Sequence, residues 1–251
     1  MGRLLIVAVA VASSLLIWKS GAVNTALPQQ PTPASSPDAA SVISKSGDAM
    51  QTLKSVHLSL NGTLVLAGVG GVHVTGSGDL VYPHEEHLDL QLQVPDASGQ
   101  DAIVAVNERI ENGHEYLQIP AQGPAWKDVT GNSGGQLAPG MDPMANLEFA
   151  RAFRASQDLG DITMDHVDVR HFALAVDPAQ YIDQLKADPS NGVTPEDEAL
   201  LSNAAIEVEV WISATDSYIH QMKIDVNTSR FTWNVIYHFS DFVKGGGSTS
   251  A

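Results

Sequence analysis

The sequence predicts a mainly β protein with helices (α+β), built as a strongly curved antiparallel sheet whose apolar, concave face is covered by helices. Apolar and polar residues alternate with period two over many segments, which is typical of strands with one buried face. These segments follow one another at hairpin spacing, which favours antiparallel pairing. The pattern indicates about ten strands and four helices along the 251 residues.

A helix is predicted over Ser41 to Ser55, and a meander of strands follows it. In the first of these strands Val56, Leu58 and Leu60 alternate with polar residues, which predicts one buried and one solvated face. Six strands are expected in this half of the chain, at Val56 to Leu66, Val72 to Tyr82, Leu88 to Val94, Ala102 to Ile110, Glu115 to Ile119 and Trp126 to Val129.

The middle of the chain has a helical pattern. Asp142 and Pro143 open a predicted helix that runs to about Gln157, because proline suits the first turn of a helix. Further helices are expected to begin at Asp177-Pro178 and at Thr194-Pro195. The remaining four strands are expected at Val167 to Val176, Ile206 to Ile212, Tyr218 to Val226 and Phe231 to Phe239.

The width of the predicted sheet indicates an apolar cavity. Ten strands span roughly 48 Å, whereas a helix covers a band of about 10 Å, so four short helices barely cover the apolar face of a sheet that curls. The alternatives are a well-filled core, or a sandwich formed by two meanders. The predicted cavity is lined by inward apolar residues, namely Leu58, Leu60, Val74, Leu80, Leu88, Leu90, Leu92, Val208, Val210, Met222, Ile224, Trp233 and Val235.

Composition and motifs exclude several classes of function. Lys and Arg number 13 against 29 Asp and Glu, a net charge of −16, which argues against nucleic acid as a partner. The absence of cysteine excludes disulfides and thiolate chemistry. His84-Glu85-Glu86-His87 is interpreted as a surface turn, since its spacing is not that of a metalloprotease helix. Because the inward positions carry almost no polar residues, we expect no catalysis. Because no spacing typical of metal ligands is present, we also expect no metal, and no cofactor is expected.

The two ends of the chain are predicted to lie outside the fold. Residues 1–22 contain an apolar run from Leu4 to Trp18 after Arg3, which indicates either a cleaved signal peptide or an N-terminal membrane anchor. Residues 23–40 form a Pro- and Ser-rich linker, residues 41–243 the folded domain, and residues 244–251 a flexible tail. Both interpretations of the N-terminus predict an extracytoplasmic domain of the cell envelope, membrane-tethered or secreted.

Several short motifs resemble the LppX/LprAFG-type lipoproteins of bacterial cell envelopes over nearly all of the predicted domain. They are Ala49 to His57, Gly76-Ser77-Gly78-Asp79, Gly123 to Lys127, Val176-Asp177-Pro178, Glu209 to Ile212 and Ile219 to Met222. The resemblance implies a half-barrel of about eleven antiparallel strands around helices, similar to the LolA and LolB carriers. It also implies lipid or lipoglycan binding without catalysis. This chain lacks the lipidated cysteine of those lipoproteins, so a thioether-linked anchor is excluded.

The leading expectation is a monomeric binding or carrier module that holds a lipid, a lipoglycan or an acyl chain, with a tether or proximity to a membrane. A LolA-like lipoprotein chaperone or envelope-stress sensor is the second hypothesis, in which the cavity receives an acyl chain of a protein partner. The third is a non-transporting extracellular domain with a filled core. The sequence does not distinguish the first hypothesis from the second.

Overall fold

The structure is a computed structural model that describes residues 37–66, 70–82, 85–95, 101–112, 114–129, 152–187, 193 and 195–245. The helices in these ranges are α1 (Pro37–Gln51), α2 (Pro178–Ala187) and α3 (Pro195–Leu201), with a short 3₁₀ helix at Pro120–Gln122. The strands are β1 (Leu53–Leu66), β2 (Gly70–Val81), β3 (Glu85–Pro95), β4 (Asp101–Glu111), β5 (His114–Gln118), β6 (Lys127–Asp128), β7 (Phe153–Met164), β8 (Val167–Val176), β9 (Ala205–Ser213), β10 (Ile219–Asn227) and β11 (Phe231–Lys244).

All eleven strands belong to one sheet, in the order β6-β5-β4-β3-β2-β1-β11-β10-β9-β8-β7. The first and last strands of the core, β1 and β11, pair along their length and form a central seam. We call β2–β6 the first arm and β7–β10 the second arm. The two arms end at β6 and β7, at opposite ends of the strand order, so the sheet is an open, curved half-barrel. The predicted fold class is confirmed, and the alternative of a two-sheet sandwich is wrong.

The eleventh strand, β7, is the one that the sequence pattern missed. The helix predicted from Asp142 to about Gln157 is wrong from Phe153 onwards, where the chain enters β7; residues 142–151 lie outside the described residues. Asp165 and His166 join β7 to β8 in a two-residue turn, and both have positive φ, 49° and 67°. Such a turn matches the twist of paired strands, so β7 and β8 form a hairpin. The first strand of this hairpin takes the place of the end of the predicted helix.

The helix α1 ends earlier than the sequence predicts because its last turn is capped. The backbone N–H and the hydroxyl of Thr52 both donate to the carbonyl oxygen of Ala49, at 3.1 and 2.7 Å. These bonds satisfy a carbonyl that the helix leaves open and turn the chain into β1. At the other end the helix begins at Pro37, four residues before the predicted Ser41, and proline suits that position.

One face of the sheet, here called the inner face, carries the hydrophobic core. Side chains from α1 and α2, including Ile43, Met50 and Tyr181, join the strand residues in a single buried cluster. The outer face of the second arm is polar: Lys223 donates to Glu209 and lies 3.0 Å from Asp225. Among the described helices, none combines the length and the apolar character that crossing a bilayer requires.

Candidate ligand-binding site

Two rows of mostly apolar residues cross eight adjacent strands on the inner face, because residues directly opposed in an antiparallel sheet share a face. Each row runs from β8 in the second arm, over the seam, to β4 in the first arm. The first row is Leu174, Val208, Ile224, Val235, Gly62, Val74, Leu92 and Val104. The second row is Phe172, Val210, Met222, Tyr237, Leu60, Gly76, Leu90 and Val106.

The structure brings the predicted lining residues together on this face. Those outside the two rows occupy neighbouring registers: Leu58 and Leu88 both oppose Gly78, and Leu80 opposes Val56. Trp233 opposes Leu64 on β1. All of the predicted lining residues are buried except Leu92, which is half-buried. Their common face is established, and their contact with a ligand remains a prediction.

Burial along the rows is uneven. In the second arm the inner residues from Phe172 and Leu174 through Val208 to Ile224 are each at most 3% exposed. In the first arm several apolar residues on the same face are only half-buried, namely Val72, Leu92, Val94, Val104, Leu117 and Ile119. The accessible apolar surface of the inner face therefore lies in the first arm.

Two glycines of β2 bring the strands of the first arm into close contact. A Cβ atom at Gly76 would lie 2.5 Å from Cδ2 of Leu90, and one at Gly78 would lie 1.8 Å from the backbone oxygen of His87. Glycine inside a strand often marks a bend or a close approach of another segment. Here it leaves the space that Leu90 fills and lets β3 approach β2 closely.

Two carboxylates lie on the inner face, contrary to the expectation of an almost entirely apolar surface. Glu86 on β3 is 1% exposed and Glu108 on β4 is 4% exposed. The predicted surface turn at His84–His87 is therefore wrong from Glu85 onwards, because these residues begin β3; His84 lies outside the described residues. The period-two pattern of β3 already contained this signal, since it extends from Leu92 and Leu88 back to Glu86.

The two rows contain no charged residue, and the charged side chains described here lie beside them. Burial raises the pKa of Tyr82, which follows β2. Arg170 on β8 donates from Nε to Asp158 Oδ2 at 3.0 Å. That hydrogen bond is the main cause that holds the pKa of Asp158 below its usual value. The middle of the face is left for apolar contacts along several strands.

Comparison with known proteins returns matches only among solved structures. Neither a family model nor a curated protein sequence matches this chain. LprF from Mycobacterium bovis matches at 16% identity and a TM-score of 0.49, over 84% of this chain and 95% of that chain. The lipoprotein LppX from Mycobacterium tuberculosis matches at the same identity and TM-score, over 84% and 98% of the two chains.

A third match is a LolA superfamily protein from Nitrosomonas europaea, at 11% identity and a TM-score of 0.28, over 82% of this chain and 93% of that chain. The half-barrel itself is established by the strand order of this chain. These structures include LprF and LppX, which belong to the group of proteins that the sequence motifs resemble.

Proposed function

We propose that this chain is an extracytoplasmic binding or carrier module that holds a lipid-like or acylated ligand against the inner face of its sheet. The observation that carries the proposal is the accessible apolar surface of the first arm. Leu92 and Val104 oppose each other in one row, and both are half-buried on a face whose continuation in the second arm is fully buried.

An apolar ligand has a physical reason to bind there. Each methylene group that moves from water into an apolar site contributes about 0.8 kcal/mol, so a long acyl chain laid along the row gains substantial free energy. A filled core would bury Leu92 and Val104 as completely as it buries Ile224. Binding without chemical conversion is the activity that such a surface supports, and we propose no catalytic step.

The variant Leu92→Trp tests the proposal. The larger side chain should enter the accessible space of the first arm, so the melting temperature should stay close to that of the parent while co-purifying lipid is lost. Mass spectrometry of organic extracts measures the lipid. Ile103→Trp is the matched control, because Ile103 lies on the neighbouring strand β4, on the outer face, and is 71% exposed.

Two results would contradict the proposal. One is a parent protein that carries no lipid and binds no apolar dye. The other is a Leu92→Trp variant that is strongly destabilised yet keeps whatever the parent carries, as overpacking of a filled core would predict. The extracytoplasmic location is tested separately by fractionating cells that express the tagged full chain, where signal confined to the cytosol would overturn it.

A further inference from the structure

Arg109 on the outer face of β4 contacts two aromatic rings near the free edge of the first arm. Its guanidinium carbon lies 4.9 Å from the ring centre of Tyr116 on β5 and 4.5 Å from that of Trp126, which directly precedes β6. Tyr116 opposes Arg109 in the ladder, so their side chains share the outer face. An aromatic face attracts a cation, and two rings therefore fix the position of this one.

The loop that carries Trp126 is itself held by hydrogen bonds. The side-chain amide of Gln118 donates to the carbonyl oxygen of Pro124 at 2.8 Å. The backbone N–H of Gln122 donates to the carbonyl oxygen of Ile119, also at 2.8 Å. Trp126 nevertheless keeps 36% of its surface exposed. One fixed segment of the surface therefore presents an exposed indole next to a cation.

The two terminal nitrogens of Arg109 are open to an external acceptor. Within the described residues the guanidinium donates no hydrogen bond, and the carboxylate with which it forms an ion pair, that of Glu111, lies 3.7 Å from Nη1, beyond hydrogen-bond distance. Nε is shielded from solvent, whereas the two Nη groups are not, and the side chain is 31% exposed. The rings thus hold the cation and leave its forked end accessible.

We propose that Arg109 and Trp126 form a docking surface for the phospholipid headgroups of a membrane. The two Nη groups of Arg109 donate to one headgroup phosphate, and the exposed indole of Trp126 enters the headgroup layer. This goes beyond the proposed function, because it concerns the outer face and a membrane surface, whereas the proposed ligand lies on the inner face.

The chemistry of these two side chains matches a phospholipid surface. A guanidinium is a planar fork of donors that fits the oxygens of a phosphate, and tryptophan is enriched where a bilayer meets water. The net charge of −16 opposes long-range attraction of the chain to an anionic surface. We therefore expect docking to zwitterionic headgroups through short-range contacts.

The position of the docking surface relates it to the lipid site. On β5 the side chain of Tyr116 lies on the outer face, and that of the next residue, Leu117, lies half-buried on the inner face. Only the two-residue strand β6 separates β5 from the free edge of the sheet. A membrane that contacts Arg109 and Trp126 would therefore lie at the edge that borders the accessible apolar surface of the first arm.

The test measures quenching of Trp126 fluorescence by phosphatidylcholine vesicles with brominated acyl chains. It uses the full chain with Trp18→Phe, so that the other tryptophans are Trp211 and Trp233, which are nearly buried; their emission is measured in the additional variant Trp126→Phe and subtracted. The parent should be quenched. In Arg109→Gln the ratio of quenched to unquenched Trp126 at one fixed vesicle concentration should be about fivefold to tenfold lower, as expected for one exposed charge-assisted hydrogen bond.

This ratio is informative whether or not residues 1–22 also hold the chain on the vesicle, because at fixed lipid it is proportional to the docking constant in both cases. Arg154→Gln is the matched control: Arg154 is exposed on β7, at the opposite edge of the sheet, and its replacement changes the net charge equally. Its ratio should equal that of the parent. Arg109→Lys keeps the charge and loses the fork, so its ratio should lie between those of the parent and Arg109→Gln.

Two results would overturn the docking role. One is a parent in which brominated lipid does not quench Trp126. The other is an equal ratio in Arg109→Gln, Arg109→Lys and Arg154→Gln, with circular dichroism showing that all three are folded. Binding of an apolar dye in solution separates docking from the proposed function: Arg109→Gln should bind the dye as the parent does, since Arg109 lies on the outer face. A parent that binds no dye contradicts the proposed function and leaves the quenching result valid.

Discussion

The two arms of the half-barrel share one sheet and one alternating pattern, yet they bury their inner faces to different extents. In the second arm, Met222 and Ile224 of β10 are at most 1% exposed, and α1 packs against β7 and β10. In the first arm, apolar residues such as Leu92 and Leu117 are half-buried, and two carboxylates share their face. The inner apolar residues of β8–β10 in the second arm are thus buried throughout, whereas the first arm combines buried residues such as Leu80 and Leu88 with an accessible apolar surface.

Under the proposed function, this difference predicts that stability and binding depend on different parts of one sheet. A side chain that is fully surrounded by hydrocarbon contributes all of its apolar surface to the free energy of folding. A half-buried apolar side chain still has exposed apolar surface that a ligand could cover. Changes in the second arm should therefore act mainly on stability. Changes on the accessible surface of the first arm should act mainly on binding. The exception is the place where the backbones of two of its strands approach each other closely.

The largest loss of stability is expected where β3 approaches β2 closely, in the variant Gly78→Ala. The added Cβ atom would meet the backbone oxygen of His87 at 1.8 Å, and a backbone atom cannot move aside as a flexible side chain can. We expect a loss of roughly 4 kcal/mol or more in the free energy of unfolding, or no folded protein. Denaturant titration followed by circular dichroism measures it.

Gly71→Ala is the control for this variant, since nothing lies within 4 Å of a Cβ atom at Gly71 in the same strand. It should change the free energy of unfolding by less than about 1 kcal/mol. Equal losses in the two variants would mean that a general cost of side chains in β2, and not the close approach of β3, explains the effect.

The next effect sharpens the contrast between the arms. Ile224→Ala in the second arm removes a fully buried side chain, and such truncations typically cost about 2–5 kcal/mol. Leu92→Ala, in the same row of the first arm, removes a side chain that is only half-buried and should cost clearly less. Unfolding titrations of the lipid-free proteins measure both. A loss at Leu92 as large as that at Ile224 would remove the distinction between core and surface.

The smallest effect is a pH dependence in the second arm. Burial lowers the pKa of His220 on β10 below its usual value of 6.5, and the nearby carboxylate of Asp216 only partly opposes this. The unfolded chain therefore binds the proton more readily. The stability that neutral His220 contributes is present above about pH 6.5 and decreases as the pH falls below it.

The variant His220→Gln isolates this contribution. The melting temperature of the parent should fall more than that of the variant between pH 7.5 and pH 5.5, with the two proteins compared first at pH 7.5, where the histidine is neutral. Parallel curves for the two proteins would show that protonation of His220 is not linked to unfolding.

Period-two alternation was sufficient to predict which residues share a face, because it depends only on the local geometry of a strand. Leu58, Leu90, Val208 and Trp233 were all placed correctly on the inner face in this way. The same rule, extended by one step, would have placed Glu86 there. Sequence-based reasoning was misled by the glutamate itself, since charged residues seldom face a core.

Other features depend on contacts that the local pattern does not contain. Strand β7 was missed because Leu159 and Ile162 are exposed on it, so its apolar residues do not mark one face. The register that sets Gly78 against the backbone of His87 depends on how β2 pairs with β3.

An open sheet has two free edges, and each edge of this one is poorly suited to recruiting a further strand. At one edge β6 is only two residues long. At the other edge the register of β7 shifts twice, between Phe153 and Ala155 and between Asp158 and Gly160, and Gly160 has a φ of 100°. Short and irregular edges resist the strand-to-strand addition that leads to aggregation. These edges therefore allow an open sheet to expose an apolar face without a geometry that favours the addition of a strand from a neighbouring copy.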